Sequence, residues 1–173
     1  MASALINAVH GEDNWNGVRG LVKEDKRCPY DELKFFADMA LFSEPIPMKL
    51  AMTVRGNIVA HSEIRDLGTA RYGIRIAGLS GTVVTPGYRH HGIYTQLILL
   101  KNIIVDRSGF FFVTARIKRG YEEWYMVQYP GFVKVKEQDP QNQAWVIRPV
   151  RMRSYTGDML QAAIEHLEIV KKW

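Results

Sequence analysis

LSGTVVTPGYRHHGIYTQL, residues 79–97, is the stretch on which the reading of this chain turns. Thr82, Val83 and Val84 are β-formers, and Pro86 closes their run. From Gly92 the pattern changes to a helix over 92–107, in which Ile93, Leu97, Leu100 and Ile104 mark one buried stripe. A strand therefore passes through a basic, glycine-containing turn straight into a helix. The first N–H groups of a helix have no intrahelical acceptor and its dipole is positive at that end, so such a junction favours a phosphate-like anion. Gly92 lets the backbone come close, and Arg89, His90 and His91 add donors, the histidines carrying only part of a charge near neutral pH. The stretch contains neither GxxxxGK[ST] nor the three glycines of a dinucleotide fingerprint, which sets aside a nucleotide triphosphatase. The same residues also read as a sharp turn with a surface basic cluster.

Working outward, 48–54 and 57–64 are β-rich runs about the tight turn Arg55-Gly56-Asn57 and predict an antiparallel hairpin. The run 72–85 extends that sheet. Its Gly73, Gly78 and Gly81 are too many for a regular strand and indicate a bulge or a close approach by another backbone or a ligand. Upstream, 4–9 reads as a short strand, and 11–25 and 29–42 as two helices; Leu33, Phe36, Ala37 and Ala40 fall at helical spacing in the second. Downstream come a buried strand at 110–114, a short helix at 121–128 stopped by Pro130-Gly131, and strands at 132–136 and 144–150. Residues 154–173 hold an amphipathic helix whose Met159, Leu160, Ala163, Ile164 and Leu167 share a face, with Lys171 and Lys172 suited to its C-terminal dipole. That face packs on its own domain or forms a homodimer interface.

The chain has 173 residues, 47% hydrophobic, enough for one domain with a real core. A single α/β domain over 1–173 is expected, its strands first antiparallel and then joined by helical crossovers. Cys28 is the only cysteine, which excludes an internal disulfide and a cysteine-built zinc site. No HxxxH or HExxH spacing occurs, and no catalytic metal is expected. The opening residues lack the features of a signal peptide and no apolar run is long enough to span a bilayer, so a cytoplasmic protein with no membrane partner is expected. A net charge of +5 favours an acidic or phosphate-bearing partner: a nucleotide-containing cofactor, a nucleic acid or an acidic protein.

Val84-Thr85-Pro86 followed by Arg89-His90-His91-Gly92-Ile93-Tyr94 resembles the pyrophosphate motif R/Q-x-x-G-x-G/A of the GCN5-related N-acetyltransferase (GNAT) superfamily, which follows a strand ending V-x-P. The hairpin Gly56-Asn57-Ile58-Val59-Ala60-His61 and the late Tyr129-Pro130-Gly131-Phe132 are similar to that superfamily's third-strand entry and Gly-Phe signature, so the likeness runs from about Met48 to Val135 in the expected order. It implies a mixed, mostly antiparallel central sheet with helices on both faces and a splayed V at the cofactor strand. It further implies an N-acetyltransferase using acetyl-CoA as co-substrate, with Thr82, Val83 and Val84 pairing their main chain with pantetheine and Arg89, His90, His91, Gly92, Ile93, Tyr94 and Thr95 cradling the pyrophosphate. Two departures stand out. Tyr94 occupies a position usually Gly or Ala, and the position of the usual general-acid tyrosine falls on Val127, between Tyr125 and Tyr129.

Acyl transfer to an amine needs a neutral nucleophile, a polarised thioester carbonyl and a proton for the leaving thiolate. His61 and Glu63, two apart on one strand, share a face and are the candidate bases; each taken singly also reads as a satisfied histidine or a surface carboxylate. Ser80 is a poor base. Tyr125 is the first choice of acid, with Tyr121 and Tyr129 as alternatives, and the cluster with Trp124 also reads as core packing. Arg116, Lys118 and Arg119 suit the cofactor's 3′-phosphate, an acidic acceptor or a solvated face. The amine acceptor is left open between a small molecule, a protein amine and an aminoacyl-RNA. A catalytically inactive binding or regulatory module of the same fold is the alternative, and a nucleic-acid-binding domain a third reading that no recognised motif supports. If the turn holds the pyrophosphate, Gly92→Glu brings a side chain and a negative charge against it and weakens acetyl-CoA binding by about tenfold or more. Calorimetric titration measures this, and unchanged affinity removes the turn from the site.

Overall fold

The computed structural model describes residues 2–23, 33–136 and 143–170. Cys28, Lys171, Lys172 and the first part of the expected 29–42 helix lie outside them. In chain order the elements are β1 (Ala2–Ala8), α1 (Glu12–Leu21), β2 (Leu33–Ala37), β3 (Met48–Val54), β4 (Asn57–Ala70), β5 (Ile74–Val84), α2 (Ile93–Asp106), β6 (Phe112–Lys118), α3 (Glu122–Gln128), β7 (Val133–Lys136), β8 (Gln143–Pro149) and α4 (Gly157–Ile169). The strands form one sheet in the order β2-β1-β3-β4-β5-β6-β8-β7. The ladders β1–β3, β3–β4, β6–β8 and β7–β8 are antiparallel, and β1–β2 and β5–β6 are parallel, so the expected mixed, mostly antiparallel architecture holds.

The expected helix over 29–42 is corrected. Leu33–Ala37 is a strand, parallel to β1 in the register Leu5↔Phe36, and a 3-10 turn at Met39–Phe42 follows. Leu33, Phe36, Ala37 and Ala40 fit a helical stripe, but the burial actually alternates, with Lys34 and Phe36 outward. Adjacent aromatics suit a pleated surface, and pairing with β1 overrides the weak helical pattern. Asp38 then starts the 3-10 turn by accepting a hydrogen bond from the Ala40 amide at 2.9 Å.

The chain divides into two compact units, Met1–Ile64 with Gly81–Ile104 and Arg65–Ser80 with Val105–Trp173. In the first, α1 lays Trp15 and Val18 on Ala51, joined by Val9 and Ile58. Trp15 also meets the His61 ring edge-on at 5.2 Å, so α1 covers the face of β4 that carries His61. Lys101 of α2 reaches Thr82, which pairs through its hydroxyl with Ser62. Ser62 lies one residue from His61, on the opposite face, so α1 and α2 flank the sheet.

In the second unit Leu67, Ile74, Ile76, Phe112, Trp145 and Ile147 form the core on which α4 docks Ala162, Ala163 and Leu167. The C-terminal helix therefore buries its apolar face in its own unit. Thr156 caps it, its hydroxyl accepting from the Met159 amide at 3.3 Å. The β5–β6 ladder runs from Ile76↔Phe112 to Leu79↔Ala115, while β5 goes on to Val84 and β6 to Lys118. Leu167→Ala, a large-to-small change at a fully buried position, should lower stability by about 2–5 kcal/mol in urea unfolding; a loss under about 1 kcal/mol would show that α4 contributes little to this core.

Candidate active site

The strand-turn-helix junction lies within the first unit. Thr82, Val83 and Val84 end β5, and the Thr85 amide donates to the Val59 carbonyl at 2.9 Å. Thr85 is buried, and its hydroxyl donates to the Val22 carbonyl at 3.1 Å, which fixes the base of the turn against the end of α1. Pro86–Tyr88 makes a single 3-10 turn, with Tyr88 buried beneath it. Arg89 folds its Nε back onto the Val84 carbonyl at 3.1 Å, tying the basic turn to the strand it leaves.

His90 has φ 67° and Gly92 φ 74°. A left-handed non-glycine residue costs about 1 kcal/mol, so His90 marks a backbone held in shape by its surroundings. A Cβ on Gly92 would meet nothing within 4 Å, which means that glycine is required there by conformation and open space is left beside it. The first i→i−4 bond of the helix runs from the Gln96 amide to the Gly92 carbonyl at 3.0 Å, so the amides of Ile93, Tyr94 and Thr95 lie ahead of the intrahelical ladder. Ile93 is buried and anchors the helix start, whereas Tyr94 is 37% exposed and His90 and Arg89 face solvent. Tyr94 thus turns its side chain outward rather than into the core.

His61 and Glu63 share the α1-facing side of β4, as the period-two spacing predicts, opposite Ala51 and Lys49 of β3. Lys49 pairs with Glu12 and stands 5.8 Å from the Trp15 ring. Gly81, with φ 61°, packs here: a Cβ on it would lie 3.5 Å from the Glu63 carboxylate. The glycine richness of this strand therefore reflects two close approaches, Glu63 on Gly81 and Leu67 on Gly78, where a Cβ would come within 3.0 Å of the leucine side chain. His61 is 7% exposed, and its Nδ1 has no hydrogen-bond partner among the described residues. Its pKa is held below 6.5, chiefly by burial and then by the charge of Arg19, against a backbone hydrogen bond with Gly81 and the Glu63 carboxylate. A neutral imidazole with one nitrogen tied to the backbone keeps the other as an acceptor, which is what a base requires.

Sequence reasoning missed Lys101. It is fully buried, with Nζ 2.8 Å from Thr82 Oγ1, which itself lies 2.6 Å from Ser62 Oγ. The signal was available: Ile93, Leu97, Lys101 and Ile104 fall on one helical face, so a charged residue occupies a core position of the stripe.

Tyr125 belongs to the second unit, on α3, and is 1% exposed. Its ring meets Tyr129 at 4.7 Å and Phe132 at 5.4 Å, and Trp124 meets Tyr129 edge-on at 6.4 Å. Tyr121 is exposed at the N-cap, and Val127, at the position counted back from Gly131, points to solvent. Arg116 stacks on Trp145 at 4.9 Å and Lys118 lies 5.9 Å from the Tyr121 ring, so part of the basic string is already engaged with aromatic faces.

No protein-family model matches the sequence, and no curated protein does. Solved structures do match in fold. The ribosomal-protein-S18-alanine N-acetyltransferase from Escherichia coli is similar over 88% of this chain and 97% of its own, with TM-score 0.57 and 11% identity. A chain of the NatC complex bound to Gag peptide and CoA is similar over 85% of this chain and 98% of its own, with TM-score 0.57 and 12% identity. FeeM, an N-acyl amino acid synthase from uncultured soil microbes, matches over 88% and 92%, with TM-score 0.59 and 8% identity. This chain has the fold of the GNAT acetyltransferases. At these identities the likeness is one of fold, as the sequence motifs implied. No helix among the described residues is long and apolar enough to cross a membrane.

A histidine whose folded pKa lies below its unfolded 6.5 binds fewer protons folded than unfolded, so its contribution to stability is intact above that value and falls away as pH drops toward the folded pKa. His61→Gln should therefore flatten part of the fall in urea midpoint between about pH 7 and 5. In the wild type the His61 ring should titrate below 6.5 by NMR; a midpoint at or above that value would contradict the burial argument.

Proposed function

We propose that this protein is an acetyl-CoA-dependent N-acetyltransferase acting on a primary amine. The observation that carries the reading is the junction 84–93, where a strand ends, a left-handed His90 and Gly92 shape a basic turn, and a helix starts with its leading amides outside the ladder. It occurs on a fold shared with N-acetyltransferases, one of them bound to CoA. In this reading the Ile93, Tyr94 and Thr95 amides and the Arg89, His90 and His91 side chains take the pyrophosphate. The main chain of Thr82, Val83 and Val84 takes the pantetheine amides. Acetyl-CoA supplies the thioester.

The amine nitrogen attacks the thioester carbonyl carbon, a C–N bond forms, the C–S bond breaks, and the amine proton leaves to a base while the thiolate takes a proton. His61 is the better base of the two candidates, because burial keeps it neutral at physiological pH; Glu63 beside it supplies negative charge that favours the imidazolium once formed. Tyr125 is proposed as the proton donor to the thiolate, a role a neutral phenol fills without becoming a cation. The acceptor is an amine; its class stays with the three kinds named from the sequence.

Thiol release from acetyl-CoA over a panel of small amines, lysine peptides and peptides with free N-termini tests the activity. His61→Gln and Tyr125→Phe should each lower kcat by about a hundredfold or more while leaving acetyl-CoA affinity within about twofold. Tight acetyl-CoA binding with no thiol released for any amine would favour the non-catalytic binding module instead.

A further inference from the structure

Lys101 joins three elements of the first unit. Projecting from α2, its amine lies 2.8 Å from Thr82 Oγ1 on β5 and 3.4 Å from the Glu63 carbonyl on β4, and Thr82 Oγ1 is 2.6 Å from Ser62 Oγ. α2 is the helix whose first turn forms the basic junction, and Thr82 is among the residues whose main chain is assigned to pantetheine. One side chain thus sets the distance between the two parts of the proposed cofactor site. Thr82 is half-buried while Lys101 and Ser62 are closed off, so the tie lies on the inner side of the strand. An ammonium in such a place is poorly solvated, and burial brings the Lys101 pKa from 10.5 to about 7, the Glu63 carboxylate pulling the other way. The titratable groups whose charge reaches it are Glu63 and His61, both on β4 with their side chains on the other, α1-facing side of the strand; β5 contributes the Thr82 hydroxyl, and on α2 the neighbouring Asn102 amide donates to the Ile98 carbonyl at 3.0 Å.

We propose that Lys101 is a positioning residue for the cofactor, holding β5 to α2 at Thr82 while its amine is neutral and releasing that tie when it is protonated. The proposal rests on the cofactor reading above. A neutral amine accepts from the Thr82 hydroxyl or donates to it, and donates to the Glu63 carbonyl, within the network present. An ammonium has three N–H donors and a full charge to solvate, which draws water in and loosens the contact. The strand end and the helix start then lose their common anchor.

The test uses NMR on the ligand-free protein and calorimetry with acetyl-CoA, for the wild type and Lys101→Met, a neutral side chain of similar length. Between about pH 5.5 and 9, the Lys101 Cε resonance and the Thr82 amide should share a midpoint near 7, and the Thr82 inflection should vanish in Lys101→Met. Wild-type affinity for acetyl-CoA should fall by about tenfold from pH 8 to 6 beyond any change in Lys101→Met, which shares the titration of the cofactor's own phosphates. A Cε midpoint near 10, a Thr82 amide blind to that titration, or parallel affinity profiles would each overturn the proposal. The wild-type resonances decide the first two points even if Lys101→Met fails to fold. Absence of acetyl-CoA binding at any pH, with the shared midpoint intact, would overturn the cofactor reading and with it this role; binding without a Thr82 inflection would overturn the role of Lys101 alone.

Discussion

A strand that outruns its ladder leaves main-chain donors and acceptors in need of partners, and this constraint shapes the region around β5. The ladder with β6 ends at Leu79↔Ala115, yet β5 goes on for five residues to Val84. Buried backbone polar groups are nearly always paired, so a segment of this kind is stable only where side chains, water or a ligand take over from the lost strand. The residues on the segment fit the demand. Gly81 adopts φ 61° against Glu63, Thr82 turns its hydroxyl to Ser62 and Lys101, and Thr85 secures the far end to Val59 and Val22. The anchoring is done by side chains on the inner face and at the end of the strand.

The two faces of β4 divide the work around it. His61 and Glu63 point toward α1, where Trp15 packs on the imidazole and Lys49 stands beside it; Ser62 points the other way, into the network under α2. Alternation along a strand puts these neighbours on opposite sides at no conformational cost. A buried imidazole and a structural hydroxyl are thus adjacent in sequence and separated in space, and a one-residue slip in register would exchange them. The β3–β4 ladder fixes that register through Ala51↔His61 and Lys49↔Glu63.

Much of this was legible in the sequence, for reasons that differ from element to element. The stripe Ile93, Leu97, Leu100, Ile104 and the glycine before it give α2 within a residue at each end, because helix periodicity and a left-handed start are local properties. The hairpin at Arg55-Gly56-Asn57 was legible for the same reason, with Arg55 and Gly56 both left-handed. β2 was not, since its Leu33, Phe35 and Ala37 face inward only by virtue of β1 beside them, and Phe36 lies on the stripe a helix would have used. The glycines of β5 were read as a bulge or close approach without the partners, which come from Glu63 and Leu67 on another strand. Tyr125 illustrates the limit for candidate residues: its position before Gly131-Phe132 is a sequence fact, while the burial that holds its ring between Tyr129 and Phe132 is a tertiary one.

Lys101 shows how a polar residue in a core stripe is to be weighed. Replacing it with a hydrophobe of similar length would remove a desolvation penalty, so its presence is poor evidence of stability. What it adds is direction. Leucine at that position would pack against Thr82 and Ser62 without choosing an orientation for either hydroxyl, whereas the amine and the two hydroxyls form a chain in which each group constrains the next. Such a chain over-determines the side-chain rotamer of Thr82 and, through it, the backbone of a strand segment that has lost one of its neighbours. The lysine is therefore best understood together with the short ladder: where β6 no longer specifies the path of β5, a polar contact from α2 does.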